Sequence, residues 1–155
     1  MDIHRSGESG RGPAVGMMWA TTGLFSLRVA GQAIQRWAPQ SWLPPFNAWQ
    51  GSSTPYPLLI TVQCGVLIAM AWTARRAQAG LLVSNRSRFL WAAWLGGLYM
   101  LGSIARPLVG LTVERAHPWF SAPISSAFHL VLAAFVLALA CYHRSMLQSR
   151  RGQRI

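Results

Sequence analysis

Five side chains in this sequence have types that could do chemistry and positions where chemistry is not expected: Arg28, Gln32, Gln63, Arg106 and His129, each inside an otherwise apolar run. Guanidinium groups offer a planar fork of donors that fits carboxylate or phosphate oxygens. Amides donate and accept, and an imidazole is the one common side chain that titrates near neutral pH. Placing an arginine in hydrocarbon costs at least ~2.5 to 3.5 kcal/mol on insertion scales, so such residues face the interior of a bundle and find a partner there. Together these types suit an anion or a carbonyl: a lipid phosphate, a carboxylate or a quinone oxygen. They suit hydrolysis poorly, because metal sites want clustered His, Asp or Glu ligands and acid/base catalysis wants a carboxylate or a positioned histidine. His129 is the sole candidate base.

Helical spacing brings these residues onto shared faces, because positions three, four or seven apart in a helix are neighbours. Thr21, Arg28, Gln32 and Gln35 form one stripe; Tyr99, Ser103 and Arg106 form a second; Ser125, Ser126 and His129 fall within about one turn; Gln63 follows Tyr56 by one heptad. Counted from the outer helix ends at ~1.5 Å per residue, Arg28, Gln63, Arg106 and His129 come out roughly 8 to 13 Å deep, with Gln32 shallower. The expected ligand site is therefore Arg28, Gln32, Gln63, Tyr99, Ser103, Arg106 and His129. Glu114 is the one acidic residue beyond the N-terminal tail, so at most one of the two arginines has a carboxylate to meet.

The elements that must position these groups are four apolar stretches, each near the ~20 residues that span a bilayer core of ~30 Å. They predict helices at about 14–36, 56–74, 89–111 and 123–143, and hence an all-α integral membrane protein, an antiparallel four-transmembrane-helix bundle. Hydrophobic residues are 52% and charged residues 11% of the 155, where an ordinary soluble domain has ~25% charged. The net charge of +11 does not point to nucleic acid, because ten of the fourteen arginines lie in three segments that alternate with the apolar runs: Arg5 and Arg11; Arg75, Arg76, Arg86 and Arg88; Arg144, Arg150, Arg151 and Arg154. The positive-inside rule then puts both termini and the middle loop in the cytoplasm, consistent with a bacterial inner membrane. Trp19, Trp72, Trp91 and Trp94 fall toward the cytoplasmic interface, and Trp37, Trp42, Trp49 and Trp119 toward the outer one, as amphipathic rings should.

The flanking segments read simply. Residues 1–13 are polar and Gly-rich and are expected to be a disordered cytoplasmic tail, and 144–155 a basic cytoplasmic tail. The first apolar run is retained rather than cleaved, since VAGQA after Arg28 is a poor cleavage context. Residues 37–55 form an outer loop in which Pro39, Pro44 and Pro45 forbid a continuous helix and Trp37, Trp42, Phe46 and Trp49 supply an interfacial anchor. Its segment SWLPPFNAW, nine residues beside a Trp-rich bundle, resembles the tryptophan-rich sensory protein family; that family has five helices against the four expected here, and no site residues carry over. Arg106-Pro107 should kink the third helix and help open a cavity. Small residues Gly23, Gly65, Gly96, Gly97 and Ala133 are expected where helices close on one another. Cys64 and Cys141 differ in depth by roughly 15 Å at helical rise and cannot form a disulfide; both read as small apolar fillers.

His129 and His143 lie fourteen residues apart, hence ~21 Å along one helix and ~40° around it. That spacing resembles the paired haem ligands of membrane b-type cytochromes, but each haem needs a second histidine, which only a homodimer would supply. The leading expectation is non-enzymatic binding of an amphipathic anionic or carbonyl-bearing ligand, a lipid, quinone or similar, in the outer half of the bundle. The alternatives are an accessory or assembly subunit of a larger membrane complex, a small isomerase or transferase using His129, and a b-type haem protein using His129 and His143. Membrane lipids are partners in every case.

Overall fold

A computed structural model describes residues 5–49, 54–112 and 123–152, and within these all regular structure is helical. Four long helices and one short one follow in order: α1 (Arg5–Trp37), α2 (Phe46–Trp49), α3 (Tyr56–Gln78), α4 (Arg86–Thr112) and α5 (Pro123–Gly152). α3 and α5 are long and apolar enough to cross a membrane, with mean hydropathies of 1.7 over Tyr56–Gln78 and 2.2 over Ile124–Gly152. α1 and α4 do not pass the same test: Arg28 and Arg106 lie within them, together with Thr, Ser, Gly and Trp residues that dilute their hydropathy.

All four long helices run past their expected ends, α1 and α5 the furthest. α1 begins at Arg5 and passes through Pro13, so the part of the tail from Arg5 onward, expected to be disordered, is helix. Once the apolar part of α1 has nucleated, extension costs one residue's freedom per hydrogen bond, and a proline removes only one of those bonds. α5 likewise continues to Gly152 through most of the expected basic tail. Residues 1–4 and 153–155 of the two tails, and Glu114, His117 and Trp119, lie outside the described residues.

The turn from α3 to α4 is built by local chemistry. Gly80, with φ 70°, takes the left-handed conformation that ends α3. The N–H of Leu81 donates to the Arg76 carbonyl at 2.8 Å and that of Gly80 to Ala77 at 3.1 Å, the paired bonds of a Schellman termination. Asn85 then caps α4, its Oδ1 accepting from the Arg88 N–H at 2.8 Å. Ser84 is buried against α5, where its hydroxyl lies 2.8 Å from His143 Nδ1. Trp19 donates to Gln78 at 2.9 Å, which brings the middle of α1 to the end of α3. Arg75, Arg76, Arg86, Arg88, Arg144, Arg150 and Arg151 thus gather at one end, and the aromatic segment around α2 lies at the other.

Packing follows a simple order. α5 is flanked by α4 and α1, and α3 packs chiefly along α1 among the described residues. Met18, Phe25 and Val29 of α1, Met70 and Ala74 of α3, and Phe135, Ala138 and Tyr142 of α5 form the shared core. The polar residues that interrupt α1 are absorbed within it: the hydroxyls of Thr21, Thr22 and Ser26 donate to carbonyls one turn back at 2.7 to 3.0 Å, the usual way such residues are tolerated inside an apolar helix. Outside the core the surface is rich in exposed Leu, Ile, Val and Trp, including Leu27, Ile68, Trp91, Leu98 and Leu101.

The small residues divide. A Cβ on Gly96 would stand 2.9 Å from Leu137 Cδ2 and 3.2 Å from the Leu137 backbone nitrogen, so α4 and α5 approach closely only because that position is glycine. Ala133 is fully buried. Gly23, Gly65 and Gly97 instead face open space, and Cys64 and Cys141, expected inside, are free and exposed. A small residue is as compatible with an outward face as with a crossing, and composition alone does not say which face a neighbour will take. Gly96→Ala is expected to destabilise the detergent-solubilised protein by about 1–3 kcal/mol through overpacking, whereas Gly97→Ala should be neutral or gain up to ~1 kcal/mol of helix propensity; thermal unfolding of the two variants beside the parent decides this.

Candidate functional site

Burial of arginine demands compensation, and Arg28 shows how little of it this fold provides. Its side chain is 8% exposed. Nη2 donates to the Trp49 carbonyl at 3.3 Å, near the long limit of an N–H···O bond. The guanidinium carbon lies 5.3 Å from the Phe128 ring centre and 5.9 Å from that of Phe25, both cation–π distances. Nε has no partner.

Arg28 opens onto a cavity of about 520 Å³, within the ~300–1,000 Å³ of small-molecule sites. Each helix contributes a wall. α1 gives Phe25 and Arg28; α3 gives Leu59, Val62, Gln63 and Val66; α4 gives Tyr99, Gly102, Ser103 and Arg106; α5 gives Ser125, Phe128, His129 and Leu132; and Trp49 of α2 closes the aromatic end. Among the described residues the lining includes two guanidinium groups and no carboxylate. Six of the seven residues expected at a ligand site therefore line one cavity.

Gln32, the seventh, sits behind the wall. It is fully buried, and its Oε1 accepts from Gln63 Nε2 at 3.1 Å. The pair leaves one amide donor on Gln32 and one carbonyl on Gln63 without partners. His129 is engaged as well: its Nδ1 and the Tyr99 hydroxyl are 2.6 Å apart, with the rings edge to face. When the tyrosine donates this bond, the imidazole is neutral and its Nε2 carries a proton for a further acceptor. Ser103 is buried but spends its hydroxyl on the Tyr99 carbonyl at 2.7 Å, so it shapes the wall more than it offers a donor. Pro107 has no N–H, which leaves the Ser103 carbonyl without its usual helical bond beside the cavity.

Other expected members are elsewhere. Thr21 and Gln35 share the Arg28 stripe in sequence, but Thr21 bonds within α1 and Gln35 Oε1 accepts from the Gln40 N–H at 3.0 Å, closing the turn after the helix. Tyr56, one heptad before Gln63, packs edge to face between Trp37 and Phe46 at ring-centre distances of 5.6 and 5.3 Å. His143 lies away from the cavity on Ser84, and among the described residues no group of three His, Cys, Asp or Glu side chains could hold a metal ion.

Sequence reasoning missed the plug. Trp49, expected in an interfacial anchor, is 8% exposed; its indole N–H donates to the Pro44 carbonyl at 2.9 Å, and its ring lies where a Cβ on Gly31 would come within 2.9 Å. The position of Gly31 one helical step from Arg28 was the available signal, though nothing local names its partner. Phe25 and Phe128 were also missed, and their spacing, three residues before Arg28 and one before His129, was legible.

No protein-family model matches this sequence, and comparison with the curated proteins and with the solved structures finds no match to it. The resemblance of SWLPPFNAW to the tryptophan-rich sensory protein family receives no support from that comparison. The cavity's own geometry is what bears on function.

The amide pair makes a direct test of the buried polar layer. Gln32→Leu or Gln63→Leu alone strands a buried amide and should cost about 1–3 kcal/mol, while the double variant should lose less than the sum of the two. Unfolding of the four proteins in one detergent gives the coupling; additive losses would mean that the amides do not share a bond.

Proposed function

We propose that this chain is a small multi-pass inner-membrane protein that binds, without catalysing its turnover, an amphipathic anionic or carbonyl-bearing ligand in the outer half of a four-helix bundle. The reading rests on one observation: a largely apolar cavity has a buried guanidinium, Arg28, held by a single long hydrogen bond and two ring faces, with no carboxylate among the described residues of its wall. A cation so placed favours an anion, because Coulomb attraction rises as water is excluded and guanidinium donors fit oxygen pairs. Arg28 and Arg106 hold the head of the ligand, Gln63 orients it with Gln32 behind, Ser103 shapes the wall, and the Tyr99–His129 couple supplies one further hydrogen bond.

The membrane setting is supported by the exposed apolar side chains on the long helices and by the gathering of seven arginines at one end. A soluble protein rarely exposes so much contiguous apolar surface. On the positive-inside rule the arginine end is cytoplasmic and the Trp49 end faces outward.

Arg28→Ala is expected to reduce a copurifying amphipath at least tenfold while leaving helicity and elution volume unchanged. Native mass spectrometry of gently solubilised protein, followed by organic extraction of the same sample, measures this. An ion retained equally by Arg28→Ala and Arg106→Ala would overturn the reading, and a stoichiometric second polypeptide in place of a small molecule would favour the accessory-subunit alternative.

A further inference from the structure

Trp49 lines the cavity at its aromatic end, pinned by its indole bond to Pro44, by its carbonyl on Arg28 and by its ring against Gly31. At the side, α3 packs along α1 and α4 along α5, and among the described residues α3 and α4, which both line the cavity, have no packed interface of that extent between them. Among the described residues, those that line the cavity and are also exposed mark an opening: Val62 of α3, 56% exposed, and, on α4, Tyr99, 37% exposed, and Gly102. A Cβ on Gly102 would meet nothing within 4 Å. Beyond this mouth the same two helices present Leu58, Ile68, Leu98 and Leu101, all exposed.

We infer that the ligand is a long-chain amphipath with one compact anionic head, and that it reaches Arg28 sideways through the α3–α4 mouth from within the bilayer. This rests on the ligand-binding reading above and adds the ligand's shape and route. Three observations fix the class. The buried cation selects the head, and the apolar wall of Leu59, Val66 and Leu132 takes the first part of a chain. The third is the mouth itself, whose rim is apolar on both helices, so the remainder of the chain continues among lipid tails without exposing hydrocarbon to water. A head entering past Trp49 would have to displace it and all three of its contacts; one entering from the side displaces only lipid.

The test uses the full chain reconstituted in phosphatidylcholine vesicles and palmitic acid carrying a diazirine on its chain close to the carboxyl group. After illumination, peptide mass spectrometry compares labelling of residues 59–66 and 99–106 with labelling around Ile68 and Leu95, which report ordinary contact with the lipid phase. In the parent protein the cavity segments should be labelled at least tenfold above that background. Gly102→Trp, which fills the mouth from an open position, should abolish the excess, and Val62→Trp on the opposite rim should do the same should the first variant fold poorly. Gly97→Trp, on α4 but off the cavity, should label like the parent. The Arg28→Ala variant should lose the excess too.

Each other result overturns something definite. Loss in Arg28→Ala with undiminished labelling in both mouth variants keeps the ligand reading and removes the lateral route. Undiminished labelling in Arg28→Ala removes the anion-binding reading itself, and no excess in the parent removes a long-chain anion as the ligand.

Discussion

A guanidinium buried with no carboxylate beside it among the described residues is the constraint around which this fold is arranged. Arg28 has five N–H donors and among them one hydrogen bond, to the Trp49 carbonyl. Supplying even that bond fixes much else. The chain after α1 must turn back so that the last residue of α2 reaches the level of Arg28, and the turn does so with Gln35 holding the Gln40 N–H and Trp49 holding the Pro44 carbonyl. The indole must then lie against α1, which requires that Gly31 carry no side chain. Phe25 and Phe128 must turn their faces to the cation, which sets the approach of α5 to α1 at this level. Ring faces offset part of a charge's desolvation, typically ~0.5 to 2 kcal/mol each, against a burial penalty of several kcal/mol. The remainder is what an anion in the cavity would recover.

The other polar groups at this level are paired across helices, although Gln32 and Gln63 each keep one buried polar atom without a partner. Gln32 and Gln63 meet each other across α1 and α3, and Tyr99 and His129 meet across α4 and α5. Each couple bridges two helices that already pack side by side. Among these couples none joins α3 to α4. The hydrogen bonds therefore reinforce the pairing order seen in the apolar core and leave the α3–α4 side without polar fastening, while the 79–85 turn, fixed by Gly80, Asn85 and Ser84, ties the same two helices together at the arginine end.

How much of this was legible depends on the range of the interaction. Depth and helical periodicity brought Arg28, Gln63, Tyr99, Ser103, Arg106 and His129 to a common level, because both are counted along one chain at a fixed rise per residue. The same counting put Thr21 and Gln35 on the Arg28 stripe without saying what they bond to, since it cannot know that a threonine hydroxyl will return to its own helix or that a glutamine will cap a turn. It could not pair Gln32 with Gln63 or Tyr99 with His129, which needs the order of helices around the bundle. Nor could it find Trp49, whose burial depends on a proline-rich loop folding back onto a glycine eighteen positions earlier. The long reach of α1 and α5 past the apolar runs was hidden for a different reason: hydropathy marks where a helix meets an apolar phase, and a helix that has started continues as far as backbone hydrogen bonds favour it.

The mouth between α3 and α4 also bears on what kind of solvent the fold needs. Val62, Leu98 and Leu101 stand exposed beside it, and in water closing the gap over them would be favoured at roughly 25 cal/mol per Å² of apolar surface covered. That driving force vanishes when the surroundings are hydrocarbon, because a lipid tail covers the same surface equally well. An open side next to a buried cation is then a stable arrangement in a bilayer and an unstable one in water. On the proposed reading, the α3–α4 gap and the buried guanidinium are two aspects of one design: an apolar phase would remove the pressure to close the cavity, and the charge inside would make its occupation by an anionic head favourable.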